Sequence, residues 1–184
     1  MRVIAGISKG MRLKSPKGLQ TRPTTDRVKE SIFSMINPYI IDSVVLDLFS
    51  GTGSLGIEAL SRGSEKAYFV DNNKNSINVI KENIKYTNFE KRSTVLFCGA
   101  QRAIKELALG NHEVDIVFMD PPYLKGLIIP SIEAIETEGI LKREGIILVE
   151  HDLKDGLPES IGKFIKTKEK KYGNTLITIY SEEA

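Results

Sequence analysis

Residues 44–56 read V-V-L-D-L-F-S-G-T-G-S-L-G, and this stretch indicates the fold class of the chain. A short apolar run predicts a strand ending at Asp47, and Gly51 and Gly53 then form a tight turn before a segment with helical spacing. A strand, a glycine turn and a helix N-terminus together make a cradle for a nucleotide-like ligand. Gly56 completes the dinucleotide pattern G-x-G-x-x-G, so the stretch alone leaves the identity of the cofactor open.

The chain beyond this stretch alternates predicted strands and helices. Apolar runs predict strands over residues 44–48, 66–70, 94–97, 114–119 and 145–149, and apolar spacing predicts helices over 54–62, 74–86, 101–109 and 127–137. Two further strands, 163–171 and 175–180, flank a turn at residues 172–174. Repeated strand–helix units predict an α/β fold: a mostly parallel seven-stranded sheet with helices on both faces and a C-terminal antiparallel hairpin.

The front of the chain does not follow this alternation. Weak alternation on both sides of residues 8–10 predicts a short β-hairpin, and a loop with two prolines follows it. The T-T-D segment at residues 24–26 offers good helix N-caps, and we predict a helix after it that Pro38 ends. We therefore divide the chain into a basic N-terminal hairpin and loop, residues 1–23, and a main domain, residues 24–184.

The N-terminal part is strongly basic. Residues 1–30 hold eight Lys and Arg and two Asp and Glu side chains, although the net charge of the whole chain is only +2. A basic arm on a mildly acidic body is typical of a polyanion-binding appendage. A solvated lysine-rich loop is the alternative, but these basic residues lie between apolar ones. The side chains that we expect to contact phosphates are Arg2, Lys9, Arg12, Lys14 and Arg27.

Ligands of such sheets bind at the rim formed by the carboxyl ends of the parallel strands. We predict that this rim brings together segments that each follow a strand: residues 47–53, 71–72, 98–100 and those after Met119. The acids in these segments have simpler explanations as well. Asp71 could cap the next helix, and Asp47 could be a satisfied buried acid.

The fourth predicted strand ends in D-P-P-Y: Asp120, Pro121, Pro122 and Tyr123. Two prolines fix the backbone and remove two N–H donors, which leaves a carboxylate, the Pro121 carbonyl and an aromatic ring. This set suits an exocyclic amine on a planar base, because the two oxygens can accept its N–H bonds while Tyr123 stacks on the ring. The nitrogen lone pair can then point at an electrophile, and catalysis would rest on positioning and electrostatics. The alternative is a rigid surface loop.

Several classes of protein do not fit the composition. Cys98 is the only cysteine, which excludes an internal disulfide framework and fits a reducing compartment. No apolar stretch approaches the roughly 20 residues that span a bilayer, and no signal peptide is evident, so we expect a cytoplasmic protein. No Cys and His cluster has metal-ligand spacing, so we expect no metal. The P-loop pattern is absent.

The D-L-F-S-G-T-G-S-L-G stretch, the acid Asp71 and D-P-P-Y in this order resemble class I S-adenosylmethionine-dependent methyltransferases that act on amino groups. The front end is more specific: R-V-I-A-G, then G-M-R-L, then R-P-T-T-D-R-V-K-E-S-I-F at residues 22–33 resemble the RsmD family. The similarity covers essentially the whole chain. It implies a Rossmann-like fold, S-adenosylmethionine as cofactor, and methylation of the N2 amine of a guanine in small-subunit (16S) ribosomal RNA. It also leads us to expect a monomer that acts on RNA, free or in an assembled particle.

The resemblance implies roles for residues along the rim. Those implied to bind the cofactor are Arg22, Pro23, Thr24, Asp47, Phe49, Ser50, Gly51, Thr52, Gly53, Asp71, Asn72, Gly99 and Ala100. Within this set, Asp47 would lie near the cofactor's amino group and Asp71 at its ribose, while Gly99 and Ala100 would border the adenine. Related enzymes often carry Asp or Asn at the position of Gly99, so a backbone carbonyl or Gln101 would have to serve the adenine amine. Residues 120–123 would hold the target base.

Three other functions remain open from the residues. The glycine spacing alone also fits a nicotinamide-dependent oxidoreductase, which would leave Asp120, Asp47 and the basic arm without a role. Methylation of adenine N6 or of a protein amide keeps the cofactor and changes only the base pocket. A catalytically silent RNA-binding module would retain the fold, although the intact D-P-P-Y argues against it.

Overall fold

The computed structural model describes residues 1–15 and 26–183. In this part of the chain the strands are β1 (Val44–Asp47), β2 (Lys66–Asp71), β3 (Ser93–Phe97), β4 (Val114–Met119), β5 (Leu141–Asp152), β6 (Ser160–Ile161), β7 (Phe164–Tyr172) and β8 (Thr175–Glu182). The α-helices are α1 (Asp26–Met35), α2 (Ser54–Ser61), α3 (Lys74–Tyr86), α4 (Ala100–Leu109) and α5 (Ile128–Glu138). The strands form one eight-stranded sheet in the order β3-β2-β1-β4-β5-β8-β7-β6.

The sheet is parallel from β3 to β5 and antiparallel from β5 to β6. The predicted parallel sheet with a C-terminal antiparallel hairpin is thus confirmed. The described sheet has eight strands rather than the predicted seven, because the two-residue strand β6 pairs with β7 through Ile161 and Phe164. Strand β5 begins at Leu141 and ends at Asp152, well beyond the predicted residues 145–149.

Helices cover both faces of the sheet, as predicted. One core lies under α1, α2 and α3, and its buried side chains include Phe33, Ile57, Phe69, Ile80 and Phe118. The other core lies under α4 and α5, and its buried side chains include Leu46, Ile104, Val117, Ile132 and Val149. Burial on both faces explains why the central strands read as continuous apolar runs.

The predicted N-terminal β-hairpin is present in a short form. Arg2 and Arg12 form an antiparallel bridge, and backbone hydrogen bonds join the two sides of the hairpin: the N–H groups of Leu13, Val3 and Gly10 donate to the carbonyls of Met1, Met11 and Val3 at 3.0, 3.0 and 2.8 Å. Beyond Val3 the backbone bonds to α2, where Glu58 accepts the N–H groups of Ile4 and Ala5 at 2.8 and 2.9 Å. The hairpin is therefore fixed to α2 by a side-chain acceptor.

The first helix ends earlier than predicted. Helix α1 stops at Met35, and Pro38 lies in a separate 3-10 helix, Asn37–Tyr39. Of the predicted N-caps, Thr24 and Thr25 lie outside the described residues, and Asp26 is the first residue of α1.

Candidate active site

Three of the predicted carboxylates point to the same face of the sheet at the rim. Asp47 pairs in register with Phe69 on β2 and Phe118 on β4, and paired residues of parallel strands share a face. Asp71 and Asp120 each lie two residues beyond one of these phenylalanines, so their side chains return to that face. The face is the one covered by α1, α2 and α3. Since β2, β1 and β4 are neighbours in the sheet, the predicted rim is formed.

The glycine loop has open space on one side and tight packing on the other. Gly51 and Gly53 have φ angles of +56° and +77°, and α2 begins directly after them at Ser54. A Cβ added at Gly51 would meet no atom of the described residues within 4 Å. A Cβ added at Gly56 would lie 2.4 Å from Cε1 of Phe69, so this third glycine allows α2 to pack against β2. The loop therefore presents bare backbone to any ligand on its open side.

Asp47 is buried beneath this loop, with 1% of its surface exposed. Its Oδ2 accepts the N–H of Gly56 at 3.1 Å, and its main-chain carbonyl accepts the hydroxyl of Ser50 at 2.7 Å. Burial, opposed by the Gly56 hydrogen bond and reinforced by repulsion from Asp71, raises the pKa of Asp47 to about 7. The carboxylate is thus only partly stabilised by the protein, and a cation beside it would favour its charged form.

Asp71 connects the glycine loop to the end of β2. Its Oδ2 accepts the N–H of Gly51 at 2.9 Å, and its Oδ1 accepts the N–H of Asn73 at 2.8 Å. Burial raises the pKa of Asp71 despite these bonds. The cap of α3 is Asn73, whose side chain accepts the N–H groups of Asn75 and Ser76. The alternative role of Asp71 as the cap of this helix is therefore wrong, and hydrogen bonds from the Ser76 side chain and the Asn72 backbone also reach its carboxylate.

Asp120 follows β4 and is largely enclosed. Burial raises its pKa well above the usual value, and the nearby carboxylates of Glu150 and Asp47 raise it further. The D-P-P segment is buried in the protein at Pro121 and exposed at Pro122.

The hydroxyl of Tyr123 lies between two groups that the sequence analysis missed. It is 3.4 Å from Oε1 of Glu150 and 3.4 Å from Oγ1 of Thr175. Thr175 begins β8 and pairs with Asp152, so it lies at this rim although β8 runs in the opposite direction. Burial raises the pKa of Tyr123 to about 12, which keeps the hydroxyl neutral. The available signal for Glu150 was an acid directly after the apolar run I-I-L-V.

The predicted adenine border lies beside Asp71. Strand β3 pairs with β2, with Phe97 opposite Asp71, and Gly99 and Ala100 follow at the start of α4. Gly99 is exposed and has an extended backbone with φ −77°, and a Cβ added there would meet no atom of residues 1–15 and 26–183 within 4 Å. Asn72 is also exposed. Nothing local to Gly99 therefore requires a glycine.

The predicted phosphate-binding residues lie at different distances from the rim. Arg2 and Arg12 face each other across the bridge, and the carbonyl of Arg2 accepts from Nζ of Lys29 at 2.5 Å. The same Nζ lies 3.2 Å from Oγ of Ser54, the first residue of α2, which places the arginine pair near the glycine loop. Lys14 is exposed and forms an ion pair with a surface acid at 2.7 Å.

Lys9 lies further from the rim. It is in the turn of the arm, beside Ser8, whose N–H donates to Oγ of Ser61 at the far end of α2. Since α2 rises 1.5 Å per residue, Lys9 lies about 10 Å from the arginine pair along the helix. Arg27 is exposed on α1. Arg22, Pro23 and Thr24 lie outside the described residues.

One buried side chain joins the arm to the glycine loop. Asn83 of α3 accepts the N–H of Lys14 at 2.8 Å and donates to the Lys14 carbonyl at 3.0 Å. Its Nδ2 also donates to the carbonyl of Thr52 at 2.9 Å. The position of the arm is therefore coupled to the loop by a side chain that is 0% exposed.

The helices in residues 1–15 and 26–183 are all too short or too polar to cross a lipid bilayer. In the same part of the chain, His, Cys, Asp and Glu side chains form no group of three or more that could hold a metal ion.

Comparison with known proteins shows which family the chain belongs to. A family model described as "Conserved hypothetical protein 95" matches residues 1–181. Ribosomal RNA small subunit methyltransferase D of Escherichia coli is 33% identical over 184 residues, covering 100% of this chain and 91% of that protein. The chain belongs to the RsmD family.

Two further comparisons, one of sequence and one of structure, agree with this membership. YlbH of Bacillus subtilis is 42% identical over 182 residues, covering 99% of each chain. The solved structure of yhhF from Escherichia coli superimposes with a TM-score of 0.88 at 33% identity, covering 100% of this chain and 98% of that one. The Rossmann-like methyltransferase fold predicted from the sequence is therefore confirmed.

Proposed function

We propose that this protein transfers a methyl group from S-adenosylmethionine to the exocyclic N2 amine of a guanine in small-subunit ribosomal RNA. The observation that carries the proposal is the placement of Asp120 on the same rim and the same sheet face as Asp47 and Asp71. A base held by the D-P-P-Y motif would thus lie next to a ligand held by the glycine loop. The name of the Escherichia coli relative, a ribosomal RNA small subunit methyltransferase, supports the same substrate class.

The residues of the rim fit this cofactor. The raised pKa of Asp47 reflects a buried carboxylate that a cationic amino group would stabilise. Asp71 ends β2 beside the glycine loop, where a carboxylate would suit the hydroxyl donors of a ribose. The open side of Gly51 allows close approach of the ligand to the backbone. When bound, S-adenosylmethionine supplies an electrophilic methyl group on a positively charged sulfur.

The chain's own residues would position the amine and take its proton. Asp120 and the Pro121 carbonyl accept the two N–H bonds, which directs the nitrogen lone pair toward the methyl group. An amine that had received the methyl group would have to lose a proton. Asp120 can accept it, because burial and the neighbouring carboxylates raise its pKa. The positive charge of the bound cofactor favours the ionised form of Asp120 before the transfer.

The basic arm would hold the RNA. Arg2 and Arg12 lie near the glycine loop and can contact phosphates on either side of the target nucleotide. We assign residues 1–23 to RNA binding and the rest of the chain to catalysis. A base within a duplex would have to leave the stack before it could reach Asp120. We further propose that the protein acts as a cytoplasmic monomer without a metal.

Mapping of methyl groups in ribosomal RNA tests the function. Mass spectrometry of small-subunit RNA should show one N2-methylguanine that is missing in cells lacking this protein and restored by the wild-type gene. Asp120→Asn should fail to restore it while binding S-adenosylmethionine as tightly as wild type by calorimetry. If small-subunit RNA from cells lacking this protein still carried all of its methyl groups, the proposal would be refuted. Binding of NAD without binding of S-adenosylmethionine would favour an oxidoreductase.

A further inference from the structure

Four lysines lie close together on β7, in the segment K-T-K-E-K-K-Y at residues 166–172. Lys166 is 11% exposed and pairs with Glu169 at 3.1 Å, so its charge is neutralised within the strand. Lys168, Lys170 and Lys171 are exposed, and in the part of the chain that the structure describes none of them forms an ion pair. Strand β7 therefore presents positive charge that no neighbouring acid of the described residues offsets.

Lys170 lies on the sheet face that carries the candidate site. It pairs in register with Ile177 on β8, which is buried in the core under α1, α2 and α3 and pairs in turn with Glu150 on β5. The register of β5 with β4 places Glu150 beside Asp120. Three strand spacings of about 4.8 Å separate β4 from β7, so the backbones of Asp120 and Lys170 are about 14 Å apart in one row. Lys170 thus lies to one side of the D-P-P-Y motif.

Helix α1 extends this positive surface toward the rim. Oγ of Ser31 is 3.3 Å from Nζ of Lys170, which fixes α1 beside β7. Arg27 is exposed one turn before Ser31, and residues four apart are neighbours on the surface of a helix. Because Lys29 contacts Ser54, the first residue of α2, the start of α1 lies at the rim. We call Arg27 and Lys170 together the C-terminal patch.

The C-terminal patch and the N-terminal arm lie on different sides of the candidate site. Arg2 and Arg12 are near the glycine loop, which follows β1, whereas the patch is beside β7. In the sheet order β1-β4-β5-β8-β7, the strand that ends in D-P-P-Y lies between them. Positive charge therefore borders the expected position of the base on both sides.

Lysines on β7 also have a simpler explanation. Strand β6 pairs with only Ile165 and Phe164 of β7, so the rest of β7 is an edge of the sheet, and lysines on an edge oppose pairing with other chains. Lys171 would serve that purpose as well as Lys170. The two residues are adjacent, so their side chains point to opposite faces, and only Lys170 shares the face of the candidate site.

We propose that Lys170 and Arg27 bind phosphates of the RNA on the side of the target nucleotide opposite to the arm. This inference rests on the proposed function. Each cation neutralises a phosphate without reading a base, so the patch adds affinity and orientation but no sequence preference. The arm and the patch together would hold the RNA on both sides of the nucleotide that reaches Asp120. RNA binding would thus extend beyond residues 1–23.

The salt dependence of RNA binding tests the patch, with a fragment of small-subunit ribosomal RNA that carries the mapped target guanine. Lys170→Ala should weaken binding and reduce the slope of log K against log salt by about 1, as for one lost phosphate contact. Lys170→Arg keeps the charge and should retain the slope. Lys171→Ala is the matched control, because it removes a charge from the adjacent exposed residue on the opposite face, and it should leave the slope unchanged. Calorimetry with S-adenosylmethionine checks that each variant is folded.

Shortening the RNA tests the arrangement of the two basic surfaces. Removal of nucleotides from one end should abolish the effect of Lys170→Ala and preserve that of Arg12→Ala, and removal from the other end should do the reverse. With the full fragment, the double variant Arg12→Ala/Lys170→Ala should reduce the slope by about 2, because the two residues contact different phosphates.

The outcomes are distinct. A wild-type slope in Lys170→Ala, or an equal reduction in Lys171→Ala, overturns the C-terminal patch and leaves the proposed function intact. Loss of both effects on shortening the same end overturns the placement of the patch opposite to the arm. A lower rate of Lys170→Ala on assembled particles with unchanged binding of free RNA assigns the patch to a protein partner and also overturns the inference. Wild type that binds the RNA but methylates no guanine refutes the proposed function, whereas the salt slopes still decide the patch.

Discussion

Lys29 and Glu58 form an ion pair that is fully buried: Nζ lies 3.1 Å from Oε2, and both side chains are 0% exposed. Glu58 also accepts the N–H groups of Ile4 and Ala5 and pairs with Arg62 at 2.8 Å. One carboxylate therefore joins the N-terminal arm, α1 and α2 directly behind the glycine loop. The pKa of Lys29 is lowered, because burial outweighs the attraction of Glu58.

Lys29→Met should destabilise the protein by about 2–4 kcal/mol, because removing one partner leaves the other charge buried. The remaining bonds of Glu58 to Arg62 keep the loss below the upper limit for such pairs. Chemical denaturation measures the change. The control is Arg2→Ala, which breaks an exposed pair with Asp26 and should cost less than about 1 kcal/mol. Equal losses for the two variants would contradict the importance of the buried pair.

Gly51 of the glycine loop and Gly56 of α2 should respond differently to substitution by alanine. Gly56→Ala should destabilise by about 1–3 kcal/mol, because its methyl group would overlap the buried ring of Phe69. The double variant Gly56→Ala/Phe69→Leu should recover part of the lost stability, since the two positions are in contact. Gly51→Ala should cost about 1 kcal/mol for its positive φ, yet weaken cofactor binding strongly by filling the open side. Unfolding and calorimetry separate the two effects, and a Gly51→Ala protein with unchanged affinity would refute that role of the loop.

Asp47 should make the cofactor-free protein less stable as the pH rises. The pKa of Asp47 is about 7 in the folded state and 3.8 ordinarily, so between these values the folded state binds more protons. The contribution of Asp47 to the free energy of unfolding is fully present below about pH 4 and is lost as the pH rises through about 7. Asp47→Asn should therefore gain about 2–4 kcal/mol relative to wild type at pH 8 and almost nothing at pH 4, while losing cofactor affinity. A stability difference that stays constant between pH 5 and pH 8 would contradict the burial argument.

Gly99→Asp should raise both the stability of the protein and its affinity for S-adenosylmethionine. Gly99 is the N-cap of α4 without a capping side chain, and its backbone already has the extended N-cap conformation, so an aspartate should add a few tenths of a kcal/mol. Its carboxylate can also accept from the adenine amine and lower the dissociation constant of S-adenosylmethionine by about 3- to 10-fold. Gly99→Ala, which offers no acceptor, is the control. Equal affinities of the two variants would show that the adenine lies elsewhere.

Arg12 should contribute more to RNA binding than Lys9. Arg12 is next to Arg2 near the glycine loop, whereas Lys9 lies in the turn at the far end of α2. Arg12→Ala should weaken binding and reduce the slope of log K against log salt by about 1, and Lys9→Ala should change it less. Lys91→Ala, an exposed site just before β3 and opposite the rim, should have no effect. A larger effect of Lys9→Ala would place the RNA along the turn of the arm.

Much of the candidate site was predictable because its residues follow strands directly. Apolar runs ending in Asp47, Asp71 and Asp120 identify strand ends, and a parallel sheet brings such ends to one rim. Glu150 follows an apolar run in the same way, but β5 begins four residues before the predicted start, and only its register with β4 shows that Glu150 lies beside Asp120. Thr175 could not be placed, because it begins a strand, and only the antiparallel pairing of β8 brings it to the rim.

The sequence by itself determined the fold class, the glycine loop and the D-P-P-Y motif, since these depend on local periodicity and on residues with special backbone properties. The tertiary structure decided how the arm is held and which groups face the base. Neither the buried pair of Lys29 with Glu58 nor the bonds of Asn83 to Lys14 and Thr52 has a local signature. Their partners are distant along the chain, and a buried polar group finds its partner only when packing brings the two together.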